Sequence, residues 1–319
     1  MPKKMDIEKE KIFIIKELAQ NGVPQEQAEI VADCFSTADS YGVTTHGGAI
    51  LPSHIQRIQR GGYNLSPTFK VIRETAAFAV IDGDNAMGPV SATFCMRYAI
   101  EKCKDSGVFT VFSRNNNTFG PAFYYPLLAA REGLIGIACS NSPAQMAPIG
   151  GKEKMLGTNP FSIVVPADGD PIILDMATSV VAKSKFKEYK LAGQVLPEGW
   201  ALDKNGKPTI DPDEAMQGLV LPMAGFKGYG IAMMIDILSG VLSGAAYLNK
   251  VGRFYTEDNA CMNVGFQFIV LDPKQILGKE YEFVIKDFVS QLRKSKPIDG
   301  YSILLPGDDR LKYKNEYGN

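Results

Sequence analysis

Gly225-Phe226-Lys227-Gly228-Tyr229-Gly230 opens the most apolar segment of the chain, which runs on to Leu248. Its reading decides the fold class. Lys227, Asp236 and scattered glycines and serines interrupt it, so it reads as a buried helix and not as a membrane span. As a helix start, its free N–H groups and positive dipole end can hold a phosphate, with Lys227 adding charge. The other reading is close packing against a neighbour where only glycine fits, and the pattern leaves both open. A doubly wound dinucleotide fold needs GxGxxG between a strand and a helix, and the chain has no such motif. A P-loop is set aside for want of its Gly-Lys-Ser/Thr.

Outward from this segment the periodicity alternates between helix and strand. Residues 6–62 read as helical, with a helix over Pro24 to Asp39 presenting Ala28, Val31, Ala32 and Phe35 on one face, and another over Leu51 to Arg60. Strands are predicted at 69–73, 77–81, 108–113, 134–139, 161–165, 171–174 and 263–271. Helices are predicted at 90–104, 124–131 and 280–293. Residues 186–220 hold turn chemistry without strong periodicity. There is no internal repeat. This is a mixed α/β chain with an all-helical start.

Composition narrows the function. The 319 residues carry 34 Lys+Arg against 35 Asp+Glu, a net charge of -1, so there is no electrostatic footprint for nucleic acid or an anionic membrane. The five cysteines form no CxxC, which fits a reducing, cytoplasmic setting, and the charged N-terminus does not read as a signal peptide. With only His46 and His54 present, a histidine-built metal site is not expected.

His46 lies in Tyr41-Gly42-Val43-Thr44-Thr45-His46-Gly47-Gly48, a stretch too rich in glycine and β-branched residues to continue a helix. Its ordinary pKa suits proton exchange near neutrality. A lone histidine is more often a cap or a surface residue, and what distinguishes this one is the glycine-flanked loop. His54, eight residues on, reads as surface or pocket lining. Asp175 to Ser179 follow an apolar strand, where a carboxylate and hydroxyls can orient a histidine or touch a ribose, or simply cap a helix. Gly157-Thr158-Asn159-Pro160 reads as a turn.

Taken in order, the motifs are more specific. His46-Gly47, Asn141-Ser142-Pro143, Met146-Ala147-Pro148, Gly157-Thr158-Asn159-Pro160, Asp175-Met176-Ala177-Thr178-Ser179, Leu196-Pro197-Glu198-Gly199-Trp200 and Lys227-Gly228-Tyr229-Gly230 follow one another. This order resembles the malate/L-lactate dehydrogenase family, which lacks a Rossmann fold and includes ureidoglycolate, sulfolactate, diketogulonate and piperideine-2-carboxylate oxidoreductases. The likeness spans roughly residues 10–310. It implies a helical domain over 1–65 joined by 296–319, a mixed-sheet nicotinamide-binding domain over 66–117 and 225–295, and an inserted domain over 118–224. It implies a homodimer using NAD or NADP on a small-molecule substrate. The cofactor would be held by Leu174, Asp175, Met176, Ala177, Thr178 and Ser179, by Lys227 and Gly228, and by Pro306, Gly307 and Asp308. His46 would exchange the proton, with Asp175 orienting it.

The departures from the family pattern bear on substrate. Where the family often has an arginine four residues after the histidine, this chain has Ile50; the family's second histidine, in Asn-His-Phe-Gly, is Thr118; a frequent tyrosine is His54; and the motif serine is Thr45. Those four positions are the expected substrate contacts. Replacing a bidentate guanidinium by Ile50 removes a carboxylate anchor, so small dicarboxylates are expected to bind poorly unless the acid group is held elsewhere. The chain is expected to transfer a hydride between nicotinamide and a 2-hydroxy/2-oxo acid or a related ketone or imine. The alternative is a cofactor-binding dimer with lost or altered catalysis.

Overall fold

In the computed structural model, which describes residues 6–255 and 259–318, three helices come first: α1 (Ile7–Gln20), α2 (Gln25–Ser40) and α3 (Leu51–Gln59). The predicted face of α2 is the buried one: Ala28, Val31, Ala32 and Phe35 are all within the main core. The chain then enters a seven-stranded sheet through β1 (Lys70–Glu74) and β2 (Phe78–Asp82), passes along α4 (Gly88–Ser106) and returns as β3 (Val108–Asn116). Helix α4 starts with proline at its first turn and stops at Gly107 in the left-handed region.

After α5 (Tyr124–Arg131) come β4 (Ile135–Ser140), β5 (Phe161–Val165) and β6 (Ile172–Met176). The sheet order is β1-β2-β3-β10-β4-β5-β6, with β10 (Val264–Leu271) inserted late at the centre. Only β2 and β3 run parallel, across α4; every other neighbour pair is antiparallel. This is a mixed sheet outside the doubly wound pattern, as expected. Helices α4 and α5 bury their apolar stripes against it, and α2 packs on those two helices.

The segment between β6 and β10 builds a second core together with Met146 and Leu156. Residues 184–220 form α6 (Ser184–Leu191), α7 (Pro212–Gln217) and a small sheet of β7 (Ala201–Leu202), β8 (Pro208–Thr209) and β9 (Leu219–Val220). Two-residue strands carry no alternation to read, which is why only turn chemistry was visible there. The chain ends with α9 (Pro273–Leu277), α10 (Tyr281–Lys294) and α11 (Asp308–Tyr317). Helix α11 comes back onto α2: a Cβ at Gly42 would meet the Tyr313 ring at 3.0 Å, and one at Gly318 would meet Ser40 O at 2.4 Å.

The segment at 225–248 departs from expectation twice. It is α8 (Phe226–Ile235) followed by a π-helical turn over Asp236–Val241, not one continuous helix. Ser239 Oγ and Ser243 Oγ donate to carbonyls four residues back, and Gly244 takes a positive φ, which ends the regular spiral. Nor is it buried all round: Phe226, Ile231, Met234, Ile237, Val241 and Leu242 are exposed. Among the described residues no helix is long and apolar enough to cross a membrane.

Asn141 fastens this turn to the sheet. Its amide donates to Asp236 Oδ1 at 2.9 Å and Ala246 O at 2.8 Å, and its carbonyl accepts from Gly265 N–H at 2.9 Å. A Cβ on Gly265 would lie 1.8 Å from Ser239 O, so the turn packs directly on the β10 backbone. Asn141→Ala orphans buried partners at roughly 1–3 kcal/mol each. Thermal unfolding should show a clear drop in Tm, whereas an unchanged melting curve would mean that these groups find other partners.

Candidate active site

The loop carrying His46 is pinned by carboxylates. Two tight turns, Thr44–His46 and Gly48–Ile50, bring the Gly48 N–H to Asp39 Oδ2. A Cβ at Gly47 would fall 2.1 Å from that oxygen, which is why glycine is required after the histidine. Glu10 of α1 reaches the same place: a Cβ at Gly48 would lie 2.5 Å from Glu10 Oε1. Burial, then the neighbouring Asp39, raises Glu10 to about 8, and Asp39 is itself raised by burial.

His46 is half-buried, with Nδ1 3.1 Å from Thr45 Oγ1. Burial, and then the charge of Arg310, hold its pKa below the ordinary value. Arg310, on α11, is the residue that sequence reasoning missed. Its guanidinium pairs with Asp175 Oδ2 at 2.9 Å, donates to Asp175 O at 3.2 Å and lies over the Phe123 ring. Asp175 is pushed up by burial, with Arg310 opposing. The carboxylate expected to orient His46 is thus engaged by an arginine whose charge His46 also feels. The signal for α11 was present: glycine followed by Asp308 and Asp309 is a helix-start pattern.

The three expected cofactor segments converge on β6 and its exit. Gly228 approaches so closely that a Cβ would lie 2.7 Å from Thr178 O and 2.4 Å from Met223 O. Gly307, with φ +96°, sits against Ile173, and Ile173 N–H donates to Pro306 O at 2.9 Å. Leu174, Met176 and Ala177 remain half-buried, Ser179 is buried, and Lys227 is exposed at the start of α8. Thr178 Oγ1 is buried without a hydrogen-bond partner. Asp308 is occupied locally, pairing with Arg293 and accepting from Leu305 N–H at 2.8 Å.

The expected substrate contacts separate. Ile50 is half-buried and packs against the main core. Thr118 is half-buried, its hydroxyl 3.4 Å from Met262 Sδ. His54 is neither on the surface nor lining an open pocket, contrary to expectation: it is 1% exposed between Phe35, Tyr63 and Phe254. Its Nδ1 meets Tyr63 Oη at 2.9 Å, and burial, then Arg57, lowers it to about 3. It is a neutral core histidine. Arg57, also unanticipated, holds Asn117 Oδ1 at 3.1 Å and Ala260 O at 2.7 Å, which fixes the backbone next to Thr118. Among the described residues no His/Cys/Asp/Glu group could hold a metal ion.

The malate/L-lactate dehydrogenase family model matches residues 5–318. The chain belongs to that family. It is 41% identical to L-sulfolactate dehydrogenase of Methanocaldococcus jannaschii over 98% of this chain and 91% of the relative. The solved structure of that enzyme superposes with a TM-score of 0.92, at 40% identity and covering 98% and 91% of the two chains. Ureidoglycolate dehydrogenase (NAD(+)) of Escherichia coli is 36% identical over 93% of this chain and 86% of its own. A (2R)-3-sulfolactate dehydrogenase (NADP(+)) of Chromohalobacter salexigens is 29% identical over 100% and 94%. The family resemblance and the mixed-sheet fold read from the motifs are therefore correct.

The Glu10–Asp39 pair gives the His46 loop a pH signature. A carboxyl whose folded pKa is raised binds its proton more tightly in the native state. Its contribution to stability is full below the unfolded value of 4.5 and is lost as pH rises through about 8. The wild-type Tm should fall across that window. Glu10→Gln, which keeps the shape and removes the ionisation, should flatten the profile, and an identical slope in both proteins would refute the assignment.

Proposed function

We propose that this chain is an NAD(P)-dependent oxidoreductase that interconverts a 2-hydroxy acid and its 2-oxo acid, or a related ketone or imine, with His46 as general acid/base. The observation that carries the reading is the convergence of a neutral, half-buried His46 with the Arg310–Asp175 pair at the mouth of β6. The residues also fit a dinucleotide. Lys227 offers a charge at a helix start and the Thr178 hydroxyl is buried and unspoken for, while Gly228 and Gly307 pack on the chain's own Thr178, Met223 and Ile173 and hold these segments in place. The cofactor, when bound, supplies or takes up the hydride.

The protein's part is to bind, orient and move one proton. With Nδ1 turned to Thr45 Oγ1, Nε2 is the nitrogen left for the substrate oxygen. A pKa below 6.5 leaves His46 neutral at pH 7, ready to accept a hydroxyl proton; reduction needs it protonated. Asp175 and Arg310 hold each other and set the field around the ring. Thr118 does not titrate near neutrality, so one ionisation and not a coupled pair should govern the reaction.

We further propose a homodimer. The apolar face of α8 and the following π turn, with Phe226 72% and Leu242 54% exposed, supports a second copy covering it. The five free cysteines support a reducing, cytoplasmic setting.

Oxo acids, ketones and cyclic imines assayed with NADH and NADPH separately test the activity. His46→Ala should lower turnover by ~10²–10⁴-fold while leaving cofactor affinity nearly intact. In wild type, kcat/KM for hydroxy-acid oxidation should rise with pH through a midpoint below that of a free imidazole and then level off, and that for reduction should fall through the same midpoint. Cofactor binding without turnover on any of the panel would favour a binding dimer with lost catalysis. Light scattering should give the mass of two chains; a monomer would refute the dimer.

A further inference from the structure

Behind the His46 loop, carboxyl groups from two helices crowd one place. The point that a Cβ on Gly48 would take lies 2.5 Å from Glu10 Oε1 of α1 and 3.4 Å from Asp39 Oδ2 of α2. A Cβ on Gly47 would lie 2.1 Å from the same Asp39 oxygen, which also accepts the Gly48 N–H. Glu10 Oε2 is buried and meets no hydrogen-bond partner. Ionised, such a carboxylate would give up hydration with no donor to replace it. Protonated, Glu10 donates to Asp39 and leaves Asp39 ionised to hold Gly48.

The charged groups on the surrounding elements are engaged elsewhere. Lys11 of α1 pairs with Asp33 of α2 at 2.8 Å, where the Tyr124 hydroxyl of α5 also donates, and Lys9 pairs with Asp6. On α3, Arg57 holds Asn117 and Ala260 O, and His54 is a neutral core group. On α11, Lys314 donates to Tyr41 Oη at 3.3 Å and Arg310 holds Asp175. Within the loop, His46 rests below the ordinary imidazole value. Two carboxyls so close do not both ionise near neutrality, in agreement with Glu10 standing at about 8.

The two tight turns of the loop meet at Gly47, whose N–H donates to Thr44 O at 3.3 Å and whose carbonyl accepts from Ile50 N–H at 3.2 Å. The Asp39 bond to Gly48 fastens these turns to α2, two residues from His46. We propose that Glu10 and Asp39 are positioning residues: one proton held between their carboxyl groups seats the loop and so keeps His46 in place for turnover. This rests on the oxidoreductase reading above. Proton transfer stays with His46, and the pair acts only on where the loop sits. When the shared proton leaves, the two charges repel, and Asp39, enclosed by Gly47 and Gly48, cannot shift without shifting the turns.

The test reads kcat for hydroxy-acid oxidation against pH in wild type, Glu10→Gln and Glu10→Ala. Beyond its level stretch, wild-type kcat should fall again through about pH 8, on the order of tenfold for each further pH unit. Glu10→Gln carries an amide donor in place of the shared proton and does not ionise, so its alkaline fall should vanish. Glu10→Ala removes the donor and should lower kcat at neutral pH by ~10-fold or more. A wild type without the fall, or a fall as steep in Glu10→Gln, overturns the proposal. So does a fall that tracks loss of helical circular dichroism, which would make the pair merely structural. If no substrate turns over, the oxidoreductase reading is at fault, and proton NMR still decides the pair, because the chain has only two histidines. The ring signals of His46, assigned by their loss in His46→Ala, should shift again through about pH 8 in wild type and not in Glu10→Gln. Signals that stay flat there in wild type refute it.

Discussion

The pairing of Arg310 with Asp175 is the interaction on which the site depends. A carboxylate buried at the end of β6 would be costly alone, and the arginine of α11 both neutralises its charge and bonds its backbone oxygen. Because α11 also packs on α2, the pair joins the last helix to the helical layer from which the His46 loop departs. One side chain therefore links the strand that would carry the cofactor, the loop that carries the histidine and the end of the chain. It also adds to what burial does at His46: burial first and then the guanidinium disfavour the imidazolium.

Around that pair the architecture is held by close approaches of backbone to backbone. Gly228 on Thr178, Gly307 on Ile173 and Gly265 on Ser239 leave no room for a methyl group. Each brings a turn or helix start against a strand, so segments far apart in sequence converge on β6 and the central β10. Asn141 supplies the matching polar fastening, with each of its side-chain hydrogen bonds inside 3 Å. Such a framework is stiff, which suits a site whose task is orientation.

Long periodic segments were legible in the sequence, and short ones were not. The buried face of α2, and the spans of α5 and β5, follow directly from apolar spacing over enough residues to register. The second core escaped because its strands are two residues long. Helix α11 escaped because Leu311 is its one buried residue, so there is no stripe to see. With α11 went Arg310, and so the pairing of Asp175. The motif order located the glycines and Asp175 through Ser179, yet it could not tell that His54 is a core residue, since a buried histidine whose Nδ1 meets a tyrosine hydroxyl looks in sequence like any other.

The apolar residue at position 50 and the Arg310–Asp175 pair belong to one electrostatic argument. With Asp175 and Arg310 cancelling and His46 neutral, the centre of the site has little net charge to attract an anionic substrate. An acid entering such a place loses hydration with nothing to replace it. A guanidinium four residues from the histidine would add a second cation to the one that Arg310 already presents. Burial is already the larger cause of the lowered His46 proton affinity and Arg310 the second, and an isoleucine at position 50 leaves the ring to those two.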